Sequence, residues 1–270
     1  MYVTRAYYAS KYIFVNSYTP MKISLRQRVR KWRETPRAME KYNNTRRSEK
    51  IQLLILNNFE KGYHITLDYP KGGRPETYAE AESNLTKALH KISRRLKKQG
   101  KEFKYLAVTE RGKRAAALHH HLIIEHDPEV LHEIMSIWGQ HVHIAVMYEE
   151  GAYKKLSEYF VKIETKEEAT KGRSKYHRSR NLKEPAERVG LIQGKLTDKP
   201  FIPKGYELVE QSFRSGHNEV IGVRWQKYLL RRIGSETEAP KSAPKEVKKC
   251  TKRESVFSKL KRKIFGGGKR

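Results

Sequence analysis

Seven consecutive residues, Leu118-His119-His120-His121-Leu122-Ile123-Ile124, constrain this chain more than any other stretch. They read as a strand, and side chains along a strand alternate between its two faces. His119 and His121 therefore emerge together, while His120 joins Leu118, Leu122 and Ile124 on the reverse. A rigid strand fixes the separation of two imidazoles, and neutral imidazole nitrogen is a good ligand for a divalent metal. A buried strand that merely contains histidines satisfies the same pattern, so the surroundings decide. Residues 103–110 read as the preceding strand, and eight residues separate Glu110 from His119. If those eight form a hairpin connection, Glu110 lies across from His119 and supplies an oxygen, giving a His-His-carboxylate set with open positions.

The rest of the chain supplies a frame for that hairpin. Residues 63–70 alternate as a strand stopped by Pro70, and Gly72, Gly73 and Pro75 make a loop. Leu85, Leu89, Ile92 and Leu96 lie at helical spacing within 77–98, a helix that closes at Gly100. Residues 51–59 look like the last turn of an earlier helix. Residues 128–138 form another, with Asp127 as N-cap and Pro128 in the first turn. A second His-x-His strand follows at His141-Val142-His143-Ile144-Ala145-Val146 and competes for the metal role. The first pair is preferred because Glu110 precedes it in a hairpin and because the second lies much closer to the next helix.

That helix, 150–165, carries the strongest chemical candidate after the histidines. Leu156, Phe160 and Ile163 form an apolar stripe, and Tyr159 lies about 60° away on roughly 100° per residue, with Lys155 and Lys162 just beyond. A tyrosine at a core edge is common packing. It is also the position of a nucleophile, because flanking cations or a metal-bound phosphate favour the ionised phenol.

Charge sets the partner class. The formal net charge is +28, distributed as about +10 over residues 1–50, +8 over 235–270 and +10 over the middle. This points to a polyanion, and the Tyr and His interleaved with the middle's charge favour nucleic acid over an anionic membrane. The polar connection 166–185 offers Arg173, Lys175, Arg178, Arg180 and Asn181 to phosphates, with Tyr176 and His177 able to stack on unpaired bases. Cys250 is the only cysteine, which excludes an intramolecular disulfide framework and a thiolate zinc cluster. A reducing cytoplasm fits. No signal sequence opens the chain, and the longest apolar run, 53–56, is far too short to span a bilayer, so no membrane role is expected. Residues 1–50 are expected as a basic arm or small helical layer, 51–233 as the main domain, and 234–270 as a disordered basic tail. Within the domain, 205–213 and 219–230 suggest short strands or a capping hairpin.

The order helix, strand, helix, strand, strand, helix, strand, helix over about residues 50–230 resembles the rolling-circle replication initiators of the HUH endonuclease superfamily. It is most similar to the replication-associated proteins of small single-stranded DNA phages and related mobile elements. Thr66-Leu67-Asp68-Tyr69 looks like their first motif, with Asp68 where a second Thr is usual. Glu110 followed by the His119-His120-His121 strand looks like their metal motif, although Ala115-Ala116-Ala117 replaces a loop usually richer in Gly and Pro. Tyr159-Phe160-Val161-Lys162 matches their Tyr-x-x-Lys motif, and Ser179-Arg180-Asn181-Leu182 with Pro185 is similar to a segment that follows in close relatives.

The resemblance implies an α+β fold of ferredoxin-like derivation, a central antiparallel sheet with flanking helices, the His strand in the middle and the Tyr helix over it. It implies Glu110, His119 and His121 as ligands of Mg²⁺ or Mn²⁺, Tyr159 as nucleophile and Lys162 as its auxiliary cation. The implied activity is a single-tyrosine nickase and ligase acting on single-stranded or hairpin DNA at a replication origin through a 5′-phosphotyrosine. The sequence holds no Gly-x-x-x-x-Gly-Lys-Ser/Thr loop, so strand separation and synthesis fall to a host helicase and polymerase in a bacterial cytoplasm. Two other classes remain: a relaxase or transposase using the same site, and a non-catalytic single-stranded nucleic-acid-binding protein.

Overall fold

The structure is a computed structural model that describes residues 1–20, 36–59, 61–112, 117–147, 150–162, 176–218 and 223–234. The elements in order are β1 (Tyr2–Ala9), β2 (Tyr12–Tyr18), α1 (Pro36–Asn58), β3 (Gly62–Leu67), α2 (Tyr78–Lys98), β4 (Tyr105–Arg111), β5 (Leu118–Glu125), α3 (Pro128–Trp138) and β6 (Val142–Val146). A 3₁₀ turn (Glu150–Tyr153) then leads into α4 (Lys154–Lys162), followed by β7 (His177–Arg178), β8 (Ala186–Ile192), β9 (Tyr206–Leu208), β10 (Arg214–Asn218) and β11 (Val223–Arg232). This is an α+β fold built on two antiparallel sheets.

The sheet that carries the histidines has the order β6-β3-β5-β4-β7, which puts β5 at its centre. Alternation along β5 does what the sequence requires: Leu122 and Ile124 pack with Ile65, Leu67 and Ala107 under α2 and α3, while Ile123 faces the opposite core with Leu106 and Val108. Helix α2 seats Ala81, Leu85, Leu89, Ile92 and Leu96 on that first face. Thr77 caps it by accepting from the Glu80 amide, and Arg95, Lys97 and Lys98 meet the negative end of its dipole. Asp127 caps α3 by accepting from the Glu129 and Val130 amides, with Pro128 next to it.

A second sheet, β10-β11-β2-β1-β8 with β9 alongside β11, lies across the other core. Between the two sheets run α1 and α4. The C-terminal half of α1 is apolar almost all round, and Ile51, Leu53, Leu54, Ile55 and Leu56 are all buried, as befits a helix packed on several sides. They join Ala9, Tyr12 and Leu229 from one sheet, Leu106, Val108 and Ile123 from the other, and Phe160 and Val161 from α4 in one cluster.

Residues 1–50 are therefore not an arm or a helical layer. Their first part is a hairpin with register Val3↔Tyr18 to Ala9↔Tyr12, and Tyr2–Ala9 pairs on its other side with β8. Residues 2–18 are rich in Tyr, Val, Ile and Phe, which favour a pleated, half-buried surface. Of the 13 Lys and Arg in residues 1–50, only Arg5 and Lys11 fall there, so the segment's average charge hid its strands. The helix ending at Asn58 also starts much earlier than expected, at Pro36, and runs 23 residues. The basic stretch 24–33 and the tail 235–270 lie outside the described residues. No described helix is long and apolar enough to cross a membrane.

Gly62 opens β3 because nothing larger fits: a Cβ there would stand 2.5 Å from the Ile124 carbonyl oxygen on β5. Replacing it by Ala must push apart the two central strands, whereas Gly72 has open space around it. Gly62→Ala is expected to cost roughly 1–3 kcal/mol in urea unfolding. Gly72→Ala, in the loop after β3, is expected to leave the midpoint within about 0.5 kcal/mol of the parent.

Candidate metal centre and tyrosine

The register of β4 against β5 builds the site. Glu110 pairs with His119 and Val108 with His121, so Glu110, His119 and His121 all project from one face of the sheet. Their ligand atoms lie within 4.8 Å of one another. Glu110 Oε2 stands 3.1 Å from His121 Nε2 and 3.5 Å from His119 Nε2, and the two Nε2 atoms are 3.1 Å apart. Two imidazoles and a carboxylate converging on so small a volume fit a divalent cation: the nitrogens are borderline ligands and the carboxylate a hard one. Burial pushes the His121 pKa down to about 4, with His64 and His119 adding to the shift and Glu110 opposing it. A neutral imidazole is the form that binds metal.

Tyr159 reaches this group from α4. Its hydroxyl donates to Glu110 Oε2 at 2.5 Å and lies 3.0 Å from His121 Nε2. The ring meets the His121 ring edge-on at 5.1 Å, and with 36% of its surface exposed the tyrosine remains open to a strand approaching from solvent. Burial and the Glu110 carboxylate raise its pKa above the ordinary tyrosine value, and no lysine is among the groups that shift it. The cationic flank expected from the helical wheel is thus not what governs the phenol here: Lys155 is exposed, and the Lys162 side chain lies outside the described residues.

Helix α4 is held by its own set of contacts. Ser48 on α1 and Ser157 on α4 share a buried hydroxyl hydrogen bond of 3.0 Å, which requires the two helices to approach closely. Gln52 donates to the Ala152 carbonyl at 2.7 Å just before α4. Ala152 and Tyr153 have left-handed backbone conformations, with φ of 49° and 59°, and both side chains are buried. Such conformations cost on the order of 1–3 kcal/mol each for non-glycine residues and persist where packing holds them. Tyr153 is thus a core anchor, as its angular separation from Tyr159 suggests.

The second His-x-His pair is not part of the cluster. β6 is an edge strand, and His143 is largely exposed and pairs with Asp68 at 3.3 Å. Of the residues expected to contact DNA, Arg173 and Lys175 lie outside the described residues. Arg178 and Arg180 are exposed; Arg178 is ion-paired to Glu184, and Asn181 donates to Glu102 at 3.4 Å. Ser179 and Leu182, from the same segment, instead fasten the chain to the domain. The Ser179 amide donates to the Tyr105 carbonyl, the Tyr105 amide donates to the Ser179 hydroxyl, and Leu182 enters the core.

Two groups escaped the sequence reading. His64 on β3 lies against His121, its Nε2 3.2 Å from His121 Nδ1, and burial lowers its pKa. Alternation places His64 and Thr66 on one face, but only the pairing of β3 with β5 brings that face to His121. The other group lies behind the site. His120 is wholly buried, between the Tyr69 hydroxyl at 2.7 Å and the Thr109 hydroxyl at 2.9 Å. Thr109 donates to Glu82 at 2.5 Å, and Glu82 in turn is paired with His177 on β7. Burial holds the His120 pKa down at about 3, against the pull of Glu82. This polar chain fastens α2, β4, β5 and β7 to one another behind the ligands.

A family model for the ORF2 class of replication-associated proteins matches residues 62–182. That span contains Glu110, His119, His121 and Tyr159. Searches of curated proteins and of solved structures return no match.

Glu110→Gln keeps the size of the side chain and removes its charge. It is expected to weaken Mn²⁺ binding by at least about tenfold in titration calorimetry, while His143→Gln on the edge strand leaves binding unchanged.

Proposed function

Residues 62–182 match the replication-associated protein family, and on that premise we propose that the protein is a metal-dependent DNA nickase and strand transferase that initiates rolling-circle replication. The observation that carries this reading is the Tyr159 hydroxyl, within hydrogen-bond distance of both Glu110 and His121. A phenol at the edge of a carboxylate-imidazole cluster is placed to attack a phosphate bound there.

Glu110, His119 and His121 would hold Mg²⁺ or Mn²⁺, which as a Lewis acid supplies stabilisation of the charge that grows on the phosphate's non-bridging oxygens. Tyr159 Oη forms a bond to phosphorus as the bond from phosphorus to the 3′ oxygen breaks. The phenol proton leaves along its hydrogen bond towards Glu110, and the departing 3′ oxygen takes up a proton to become a hydroxyl. The products are a 5′-phosphotyrosine and a free 3′ end. Because the tyrosyl ester retains the reactivity of the phosphodiester, a returning 3′-hydroxyl reverses the exchange and closes a circle. Lys162, on the motif that includes Tyr159, is the auxiliary cation in this scheme.

The substrate is single-stranded or hairpin DNA at an origin. Lys155, Arg178, Arg180 and Asn181, with Arg173 and Lys175, supply the contacts to its backbone, and the net charge of +28 favours binding at low salt. A host helicase and polymerase in the bacterial cytoplasm would open the duplex and extend the 3′ end.

Incubating the protein with Mn²⁺ and a library of single-stranded and hairpin oligonucleotides tests this. A protein–DNA adduct that survives denaturing electrophoresis is expected for the wild type. It should be lost with chelator, and reduced at least about a thousandfold in Tyr159→Phe, which lacks the attacking oxygen. Retardation in native gels with no adduct on any substrate would leave a nucleic-acid-binding protein instead. The sequence of the DNA captured separates an origin nickase from a relaxase or transposase with the same chemistry.

A further inference from the structure

We propose that His64 is a positioning residue for the metal site: it receives the outward ring nitrogen of His121 and so fixes the orientation in which His121 presents its other nitrogen as a ligand. This deepens the reading of Glu110, His119 and His121 as a metal centre and rests on it.

His121 uses its two ring nitrogens on opposite sides. Nε2 faces the cluster, 3.1 Å from Glu110 Oε2 and 3.0 Å from the Tyr159 hydroxyl. Nδ1 faces away, 3.2 Å from His64 Nε2 and 3.3 Å from Thr66 Oγ1. A ring that gives its Nε2 lone pair to a metal carries its proton on Nδ1, and that proton needs an acceptor in a site as buried as this one. His64 Nε2 and Thr66 Oγ1 are the two acceptors beside it. His64 is not itself one of the converging ligands, because its Nε2 meets His121 on the side turned away from Glu110.

The position of His64 links the ligand to the nucleophile as well. Its ring stacks on His121 with centroids 5.2 Å apart, and its other side tilts against Phe160 at 6.3 Å. Phe160 is buried and adjacent in sequence to Tyr159. One side chain on β3 thus touches both the strand that holds the ligand and the helix that holds the tyrosine. Strand pairing makes this possible: Thr66 lies opposite His121, and His64, two residues along on the same face, lies opposite Ile123.

Mn²⁺ titration of the full chain, read by calorimetry and by the electron paramagnetic resonance signal of free Mn²⁺, tests the role without DNA. His64→Phe retains an aromatic ring between His121 and Phe160 but offers no acceptor. It is expected to raise the Mn²⁺ dissociation constant by about 10- to 100-fold with an unchanged urea midpoint. His64→Gln can set its amide oxygen near the place of Nε2 and should restore affinity to within about threefold of wild type. A purely structural role would not separate these two variants. If His64→Phe does not fold, His64→Leu carries the same expectation. Wild-type affinity in the folded Phe or Leu variant overturns the role of His64 and leaves the metal centre standing. Loss of affinity in the Gln variant as great as in the Phe variant also overturns it. Absence of Mn²⁺ binding by the wild type overturns the metal reading together with this one.

Discussion

The pairing of Glu110 with His119 across β4 and β5 is the constraint on which the rest of the site depends. In an antiparallel ladder, residues directly opposite each other point to the same face, and a slip of one residue sends every side chain on that strand to the other. In the observed register one carboxylate and two imidazoles gather within 4.8 Å. A one-residue slip would place Thr109 or Arg111 where Glu110 stands. The apolar residues that follow the ligands hold the register: Leu122 and Ile124 must meet the core under α2 while Ile123 meets the core around α1. Burial on both faces makes β5 a strand that cannot shift without exposing one side.

The nucleophile candidate depends on a different set of contacts. Tyr159 lies on a nine-residue helix, too short to be stable alone. Its position is taken from α1 through Ser48 and Gln52, and from the cluster that Phe160 and Val161 enter. Helix α1 is in turn wedged against the second sheet, which the first strands and the segment after residue 185 build together. The N-terminal hairpin thus contributes to the site at one remove, by giving α1 a surface to pack on.

Much of this was legible in the sequence because it follows from short periods. The strand of histidines, the hairpin from Glu110, the capped helix 128–138 and the stripe of 77–98 each depend on alternation, helical spacing or a cap within about 20 residues. What escaped depends on distance. β1 pairs with β8, some 185 residues later, and nothing in either segment names the other. His64 becomes a neighbour of His121 only through the β3–β5 pairing, and Glu82 meets His177 only when α2 and β7 close on the same strand. Averaging also misled: a segment read as basic concealed two strands at its quieter end. The phenol of Tyr159 shows a further limit, since a helical wheel predicts neighbours on its own helix and the group governing it, Glu110, comes from a strand.

His120 explains why three successive histidines are not redundant. His119 and His121 face a surface open enough to admit a phosphate, where neutral rings are needed as ligands. His120, between them, faces a closed core and satisfies both of its ring nitrogens with the Tyr69 and Thr109 hydroxyls. A hydrophobic residue in its place would pack equally well against Trp138, but it would leave two buried hydroxyls competing for other partners, at about 1–3 kcal/mol for each group left unsatisfied. Hydrogen bonds are directional where apolar contacts are not, so the network behind the strand fixes its height and rotation as well as its burial. The same strand therefore has its ligands on one face and the means of holding them still on the other.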